Sequence, residues 1–386
     1  MKILHVVPTY VPAWRYGGPI RSVHNLCRAL VARGHDVHVY TTSVDGPDDL
    51  PVLTGKPVDV DGVKVWYFPV RFRRLCWSPT MKRTLNDQIA TFDFVHLHSI
   101  FLWPTWAAAR AAERARVPYC VAPRGMLVQD LVARKSAWLK RTWLALIERH
   151  TLERAAFLHA TSELEAEEAH RFGYRLPPTV VVPNGVEIEQ DLVTPASPIP
   201  GISAGQKRLL FLGRVNWKKG LDRLIPALKQ MPNAQLLIAG NDEEGYRNKL
   251  EVLAKQEGVY DRVRFLGMVD GAVKTALLRD VDLLVLPSYS ENFGNVVLEA
   301  WAADCPVAVT REVGLASVVA ETGAGAVVPG EPDALGTTLA RLLDQPVELD
   351  AMKARGWQVV TERFGWAGIA TRMEQAYRDY ARLLRA

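Results

Sequence analysis

RLLFLGRVNWKKGLDRLIPALKQMPNAQLLIAG, residues 208–240, decides the fold. Two short apolar runs, RLLFLG (208–213) and QLLIAG (235–240), enclose a helical pattern, LDRLIPALKQ. A strand apolar on both faces must be covered on both sides, and strand–helix–strand is the repeating unit of a parallel sheet. Downstream, RVRFLG (262–267), DLLVLPS (282–288) and PVAVT (306–310) continue the series. Upstream, KILHVVP, DVHVYTT, VKVWYFPV, FDFVHLHS, PYCVAPRG, AFLHATS and TVVVPNG form an earlier one. A helical pattern over 21–34 in that earlier series stops at Gly34. The predicted fold class is α/β, with two parallel sheets.

A chain of 386 residues suits two domains better than one core. VEIEQDLVTPASPIPGISAGQK, rich in Pro, Ser and Gly, is the linker candidate, which sets domains at 1–190 and 191–365 and leaves a final helix at 366–386. With 48% hydrophobic and 23% charged residues the composition is that of a folded protein. MKILHVVPTY lacks a basic n-region and reads as a first buried strand rather than a leader. No apolar stretch is long enough to span a membrane. Cys27, Cys76, Cys120 and Cys305 show neither CxxC nor disulfide spacing, so a reducing, cytoplasmic setting is expected. Residues 1–190 carry 24 Lys+Arg against 18 Asp+Glu, a charge of +6, and the remainder 23 against 24, a charge of −1. Basic residues interleave with Trp77, Trp138 and Trp143 in residues 71–83 and 133–150, a pattern that a solvated face also explains.

Open parallel sheets bind ligands beyond the carboxyl ends of their strands, and the polar motifs cluster there. There is no GxGxxG after a strand and no GxxxxGK[ST], which weighs against a dinucleotide oxidoreductase and a P-loop enzyme. FLGRVNWKKG follows a strand and offers Arg214, Lys218 and Lys219; such cations can clamp a diphosphate or simply face water. Gly17-Gly18-Pro19 precedes a helix expected to begin near Arg21 and lets backbone N–H groups approach an anion or a sugar. His96 and His98 share one strand face; with no third ligand nearby in sequence, zinc is not expected, and His98 sits at the strand's carboxyl end. Asp59-Val60-Asp61 and Asp280-Val281-Asp282 imitate a metal-binding DxD, but both positions suit solvation and capping better.

The most informative stretch is SYSENFGNVVLEAW (288–301). Glu291 falls in the loop after a strand, and Glu299 in the first turns of a helix expected to begin near Gly294-Asn295. The helix dipole alone would account for Glu299. It would not account for two carboxylates flanking a helix start suited to phosphate, around Asn295 and Val296. Carboxylates accept paired hydrogen bonds from vicinal hydroxyls, so a ligand with hydroxyls on both sides of a diphosphate satisfies the set: a nucleotide sugar.

Taken in order, GGP (17–19), VHLHS, APRGML (122–127), LHATSELE, VPNGVE, FLGRVNWKKG and ENFGNVVLE, an E-x7-E, resemble the retaining glycosyltransferases of family GT4, over essentially the whole chain. APRGML followed by a basic Trp-bearing helix resembles their bacterial exopolysaccharide and O-antigen branch. The resemblance implies the two-lobed GT-B fold, an N-terminal acceptor lobe, a C-terminal nucleotide-sugar lobe, and a final helix packing back on the first. It implies that Arg214 and Lys219 hold the donor diphosphate with the Asn295 and Val296 amides. Glu299 would bind the ribose, Glu291 and His98 the donor sugar, Gly17 and Gly18 the phosphate, and the loop at Met268 and Val269 the base. It further implies retention by front-face attack and a glycan or lipid-linked acceptor. The cationic clamp and the two ill-placed DxD matches predict no metal and no cofactor beyond the donor; the basic, Trp-bearing N-terminal half predicts an anionic membrane surface as partner, and no nucleic acid is expected. A nucleotide-sugar 2-epimerase on the same fold and a non-catalytic binding protein are the alternatives. The donor base, sugar and acceptor are not legible in these residues.

Overall fold

Every predicted apolar run forms a strand in the computed structural model, which describes residues 1–129, 132, 137–188, 205–243 and 245–383. The chain divides into two units, Met1–Gly185 with Trp366–Ala386, and Val186–Gly365.

In the N-terminal unit the strands are β1 (Lys2–Val6), β2 (Asp36–Thr42), β3 (Val44–Asp45), β4 (Asp48–Asp49), β5 (Val58–Val60), β6 (Val63–Phe68), β7 (Phe94–His98), β8 (Tyr119–Ala122), β9 (Phe157–Ala160) and β10 (Thr179–Val181). Eight of them form one sheet in the order β10-β9-β8-β7-β1-β2-β6-β5, parallel except at the β5–β6 edge, while β3 and β4 pair apart. The chain moves outward from β1 through β2 and then restarts at β7 on β1's other side. That reversal puts the sheet's switch point between β1 and β7, where ligand crevices form. β1, β7, β8 and β9 are almost wholly buried, as strands covered on both faces must be. On one face the terminal helix Trp366–Leu383 supplies Ile369, Met373 and Tyr377 to the same core as Ile20, Val23 and Leu30 of the helix Gly18–Ala32.

The first helix begins at Gly18, three residues earlier than predicted, because Pro19 lacks an N–H that would go unsatisfied in a first turn anyway. The glycine turn is therefore the helix N-terminus itself, with Gly17 as its cap at φ +80°.

The C-terminal unit has six strands, β11 (Lys207–Leu212), β12 (Ala234–Ala239), β13 (Val263–Gly267), β14 (Leu283–Leu286), β15 (Val307–Thr310) and β16 (Gly325–Val328), all parallel in the order β13-β12-β11-β14-β15-β16. Its switch point lies between β11 and β14. Trp301 is fully buried in this unit's core, its indole donating to the Ala324 carbonyl at 2.8 Å. Where the chain enters the unit, the Val186 N–H donates to the Phe364 carbonyl at 2.9 Å, one residue before the chain leaves it. Most of the predicted linker, 189–204, lies outside the described residues. β5 and β16 were not expected, because each is short and half-buried at a sheet edge, without a sustained apolar run.

Candidate active site

In the C-terminal unit the switch point brings the two strongest motifs together. After β11 the chain turns at Gly213 into a loop anchored by Val215, whose N–H donates to the Asn241 carbonyl at 2.7 Å. Asn216 caps a short 3-10 turn, Trp217–Lys219, its side-chain oxygen accepting from the Lys218 N–H at 3.0 Å. The turn ends at Gly220, left-handed at φ +67°, where an added Cβ would stand 1.9 Å from the Pro287 carbonyl oxygen at the end of β14. The Tyr289 N–H donates to the Lys218 carbonyl at 2.7 Å. Close packing thus delivers Lys219 to the strand end that precedes Glu291.

There the Lys219 ammonium pairs with the Glu291 carboxylate, the two side chains 16% and 21% exposed. Burial alone would push the Glu291 carboxyl up. The Lys219 charge and hydrogen bond, helped by Arg214 and the Phe293 N–H, outweigh it and hold the carboxyl below its ordinary value. The backbone of Glu291 is fixed too: its N–H donates to the Glu312 carbonyl at 3.0 Å, and its carbonyl accepts from the Gly314 N–H at 2.9 Å.

Gly294, at φ +95°, starts the helix Asn295–Ala302, which has no side-chain cap and carries Val296 and Glu299. Glu299 does not meet Glu291; its carboxylate accepts from the Lys274 ammonium at 2.9 Å. Arg214 donates to Glu243 at 2.5 Å, and Asn216 donates to the other oxygen of Glu243 at 2.6 Å. Met268, 64% exposed, and Val269, packed against the core, follow β13 and precede a helix capped by Asp270. Lys274 and Glu243 are additions to the predicted set. Neither sits in a recognisable local pattern, and only the sheet order makes them neighbours of predicted residues.

In the N-terminal unit the switch point gathers histidines. β1 and β7 pair in a register that sets His5 opposite His96. The rings of His5 and His98 share a hydrogen bond of 2.9 Å between Nδ1 and Nε2, and those of His159 and His96 one of 3.1 Å between Nδ1 and Nε2. Tyr377 lies 2.7 Å from His96 Nδ1, and the Val182 carbonyl 2.8 Å from His159 Nε2. Arg124, left-handed at φ +55° just after β8, reaches His98 Nδ1 at 3.3 Å and donates to Asn184 Oδ1 at 2.9 Å. Burial, the largest influence, drives all four imidazoles far below their ordinary value, His5 and His159 to about 3, and the Arg124 charge acts in the same direction.

The expectation that no third ligand stands near His96 and His98 fails, because strand register supplies His5, with ligand nitrogens within 4.8 Å of one another. The cluster fits a metal poorly all the same: its facing nitrogens are spent on one another, and a guanidinium stands beside them. The DxD look-alikes make ion pairs instead. Asp61 accepts from His24 at 2.8 Å, and Asp280 pairs with Arg208 at 2.7 Å. Trp143, which interleaves with the basic residues of 133–150, turns its indole inward and donates to the buried Glu148 at 2.9 Å, which also accepts from the Phe101 N–H at 2.6 Å. Arg134 and Lys135 of the same basic stretch lie outside the described residues.

Comparison with known proteins agrees with both units. Residues 17–185 match the glycosyl transferase 4-like domain and residues 195–358 the glycosyl transferases group 1 model. The chain is 28% identical to an uncharacterized glycosyltransferase of Methanocaldococcus jannaschii, over 98% of each chain. It is 27% identical to a glycogen synthase of Mycobacterium tuberculosis, over 98% of this chain and 94% of that one. Among solved structures, sucrose-phosphate synthase from Thermosynechococcus elongatus superposes with a TM-score of 0.77 at 22% identity, covering 98% of this chain and 99% of that one. HepE of Anabaena, in complex with UDP and glucose, superposes with 0.75 at 20% identity, covering 98% and 100%. WaaG, a glycosyltransferase involved in lipopolysaccharide biosynthesis, superposes with 0.67 at 22% identity, covering 98% and 99%. With a glycosyl transferase 4-like domain followed by a glycosyl transferases group 1 domain, each within one unit of a GT-B fold, the chain is a glycosyltransferase.

Proposed function

We propose that the chain moves a sugar from a nucleoside-diphosphate sugar, with UDP or GDP as carrier, to a hydroxyl of a glycan or lipid-linked glycan. The observation that carries this reading is the Lys219–Glu291 pair at the β11/β14 switch point, with Arg214 close enough to act on the same carboxylate. A diphosphate departing here meets two cations placed in advance, which stabilise charge developing in the transition state and take the part a divalent metal would otherwise play. Glu291, kept ionised, accepts hydrogen bonds from donor-sugar hydroxyls, and Glu299 accepts from the ribose. Because Glu291 is committed to Lys219, it serves as an acceptor rather than a covalent nucleophile, in keeping with retention by front-face attack. Complexes of HepE with UDP and with UDP-glucose support a uridine donor by likeness of fold.

The acceptor belongs to cell-surface polysaccharide assembly in this reading, supported by the APRGML resemblance and by the WaaG likeness. Among the described residues no helix is long and apolar enough to cross a membrane. The N-terminal unit lies instead against an anionic cytoplasmic membrane face. In support, Trp138 is 79% and Leu146 74% exposed, on a helical stretch with Lys140, Arg141 and Arg149. Tryptophan suits the headgroup boundary, and each basic residue near an anionic surface adds about 1 kcal/mol.

A thermal-shift panel with UDP, GDP and ADP tests the donor reading, since a ligand at 100 times its Kd adds about 2.7 kcal/mol. One diphosphate is expected to raise the melting temperature in EDTA-treated protein, and its sugar conjugate to be consumed only with an acceptor. No shift with any of the three overturns the reading.

A further inference from the structure

The motifs VHLHS, APRGML and VPNGVE, 98 to 184 in sequence, converge on one ring. Arg124 comes from the second, Asn184 from the third, and both lead to His98. A guanidinium can only donate, so His98 Nδ1 must accept, and its proton must sit on Nε2. His98 Nε2–H then donates to His5 Nδ1, which leaves His5 with its proton on Nε2, a buried atom without a protein partner. A second chain runs the other way. The Val182 carbonyl can only accept, so His159 holds its proton on Nε2, His96 Nε2–H donates to His159 Nδ1, and Tyr377 donates to His96 Nδ1. Every imidazole in the cluster is thereby assigned one neutral tautomer by groups that cannot reverse their roles.

We propose that Arg124, oriented by Asn184, is a positioning residue that locks His98 in the neutral form with its proton on Nε2. This rests on the reading of His98 as a residue that meets the donor sugar. A donor-sugar hydroxyl that takes the Nε2–H over from His5 Nδ1 meets a donor of fixed sense over a broad pH range, whereas an imidazolium beside a guanidinium would be repelled. Arg124, His5, His96 and His159 surround His98, and each acts on it with the same sign or remains neutral. Glu165 is the carboxylate that acts on Arg124, and its oxygens accept from Gly125 N–H at 2.7 Å, Thr161 N–H at 2.7 Å and the Thr161 hydroxyl at 2.8 Å. The Tyr377 phenol and the Cys27 and Cys120 thiols stay neutral, pushed up by burial. No hydrogen bond or ion pair joins Arg124 to a carboxylate among the described residues, so its donors are left for the imidazole and the amide.

Nitrogen-15 NMR of the full chain labelled at histidine, with His98→Gln to assign the ring, tests the lock without a substrate. The wild-type ring is expected to show an unprotonated Nδ1 and a protonated Nε2, and not to titrate between about pH 5.5 and 8, where a free imidazole would. Arg124→Met is expected to free Nδ1 and bring in the Nδ1–H tautomer, while burial still holds the ring below its ordinary value, and to lower kcat at least about tenfold, with donor KM within about twofold. Arg124→Lys, which keeps a cationic donor, is expected to restore the Nε2–H tautomer. A wild-type Nδ1–H tautomer, titration of His98 above pH 5.5 in the wild type, or an Arg124→Met ring that keeps the wild-type tautomer overturns the proposal. Should Arg124→Met fail to fold, the wild-type spectrum decides alone. The expected spectrum with full turnover in His98→Gln supports the lock and overturns the reading of His98 as a sugar contact.

Discussion

At Glu291 burial favours the neutral acid and the Lys219 ammonium favours the carboxylate, and the ammonium prevails. Lys219→Met removes most of that counterweight and leaves only Arg214 and the Phe293 N–H against burial. The acid limb of the kcat–pH profile is therefore expected to move to higher pH, and kcat/KM at pH 7 to fall at least about a hundredfold, ~2.7 kcal/mol. An acid limb that stays in place would dissociate the two residues. The stability sign is that of a depressed carboxylate. Its contribution is present above the ordinary value of 4.5 and is lost as pH falls through the lower folded value. Glu291→Ala is expected to lose most turnover while the thermal shift by UDP persists, because the proposed reading gives the diphosphate to Lys219 and Arg214. Unchanged turnover in a folded Glu291→Ala protein would remove the assignment. Both motifs of this pair were legible in the sequence, since each sits after an apolar run. Their mutual neutralisation was not legible, because it spans 72 residues and depends on β11 and β14 being neighbours. Glu243, Lys274 and Arg124 escaped for the same reason: an ion pair or hydrogen bond across strand ends leaves no trace in local spacing.

Among the elements, strands were the most legible, since a strand buried on both faces writes its burial directly into consecutive apolar residues. The loops that carry chemistry were less so. RVNWKKG showed its cations, but not that Gly220 must press against Pro287 to deliver them. Gly220→Ala meets both a left-handed backbone and a carbonyl oxygen at 1.9 Å, and is expected to cost about 3 kcal/mol or more. Gly34→Ala is the control: its φ is +84° but nothing lies within 4 Å, so about 1–2 kcal/mol of backbone strain is the whole expected cost. Urea titration of both variants checks the difference. Equal losses would mean that the Gly220 contact relaxes freely and does not position Lys219.

Taken as one molecule, the chain is chemically lopsided: all nine histidines lie in the first 170 residues, and residues 186–365 contain none. His5 and His159, ordinarily near 6.5, titrate folded at about 3. Between those values the unfolded chain binds protons that the folded unit refuses, so stability falls as pH drops, by up to about 1.4 kcal/mol per pH unit for each such histidine. Calorimetry between about pH 7 and 5 is expected to lower the melting of the N-terminal unit while leaving the histidine-free unit nearly unmoved. Equal shifts in both would exclude the histidines as the cause. The two crossings of the chain between its units carry a further consequence. The Val186 N–H bonds to the Phe364 carbonyl, so residues 186–365 begin and end at one spot, inserted into the N-terminal unit as a closed cassette. A segment with touching ends can be exchanged without new linker length. If the proposed division of labour holds, chimeras joined at 185/186 and 365/366 are accordingly expected to inherit the donor preference of the incoming segment and the acceptor of the recipient.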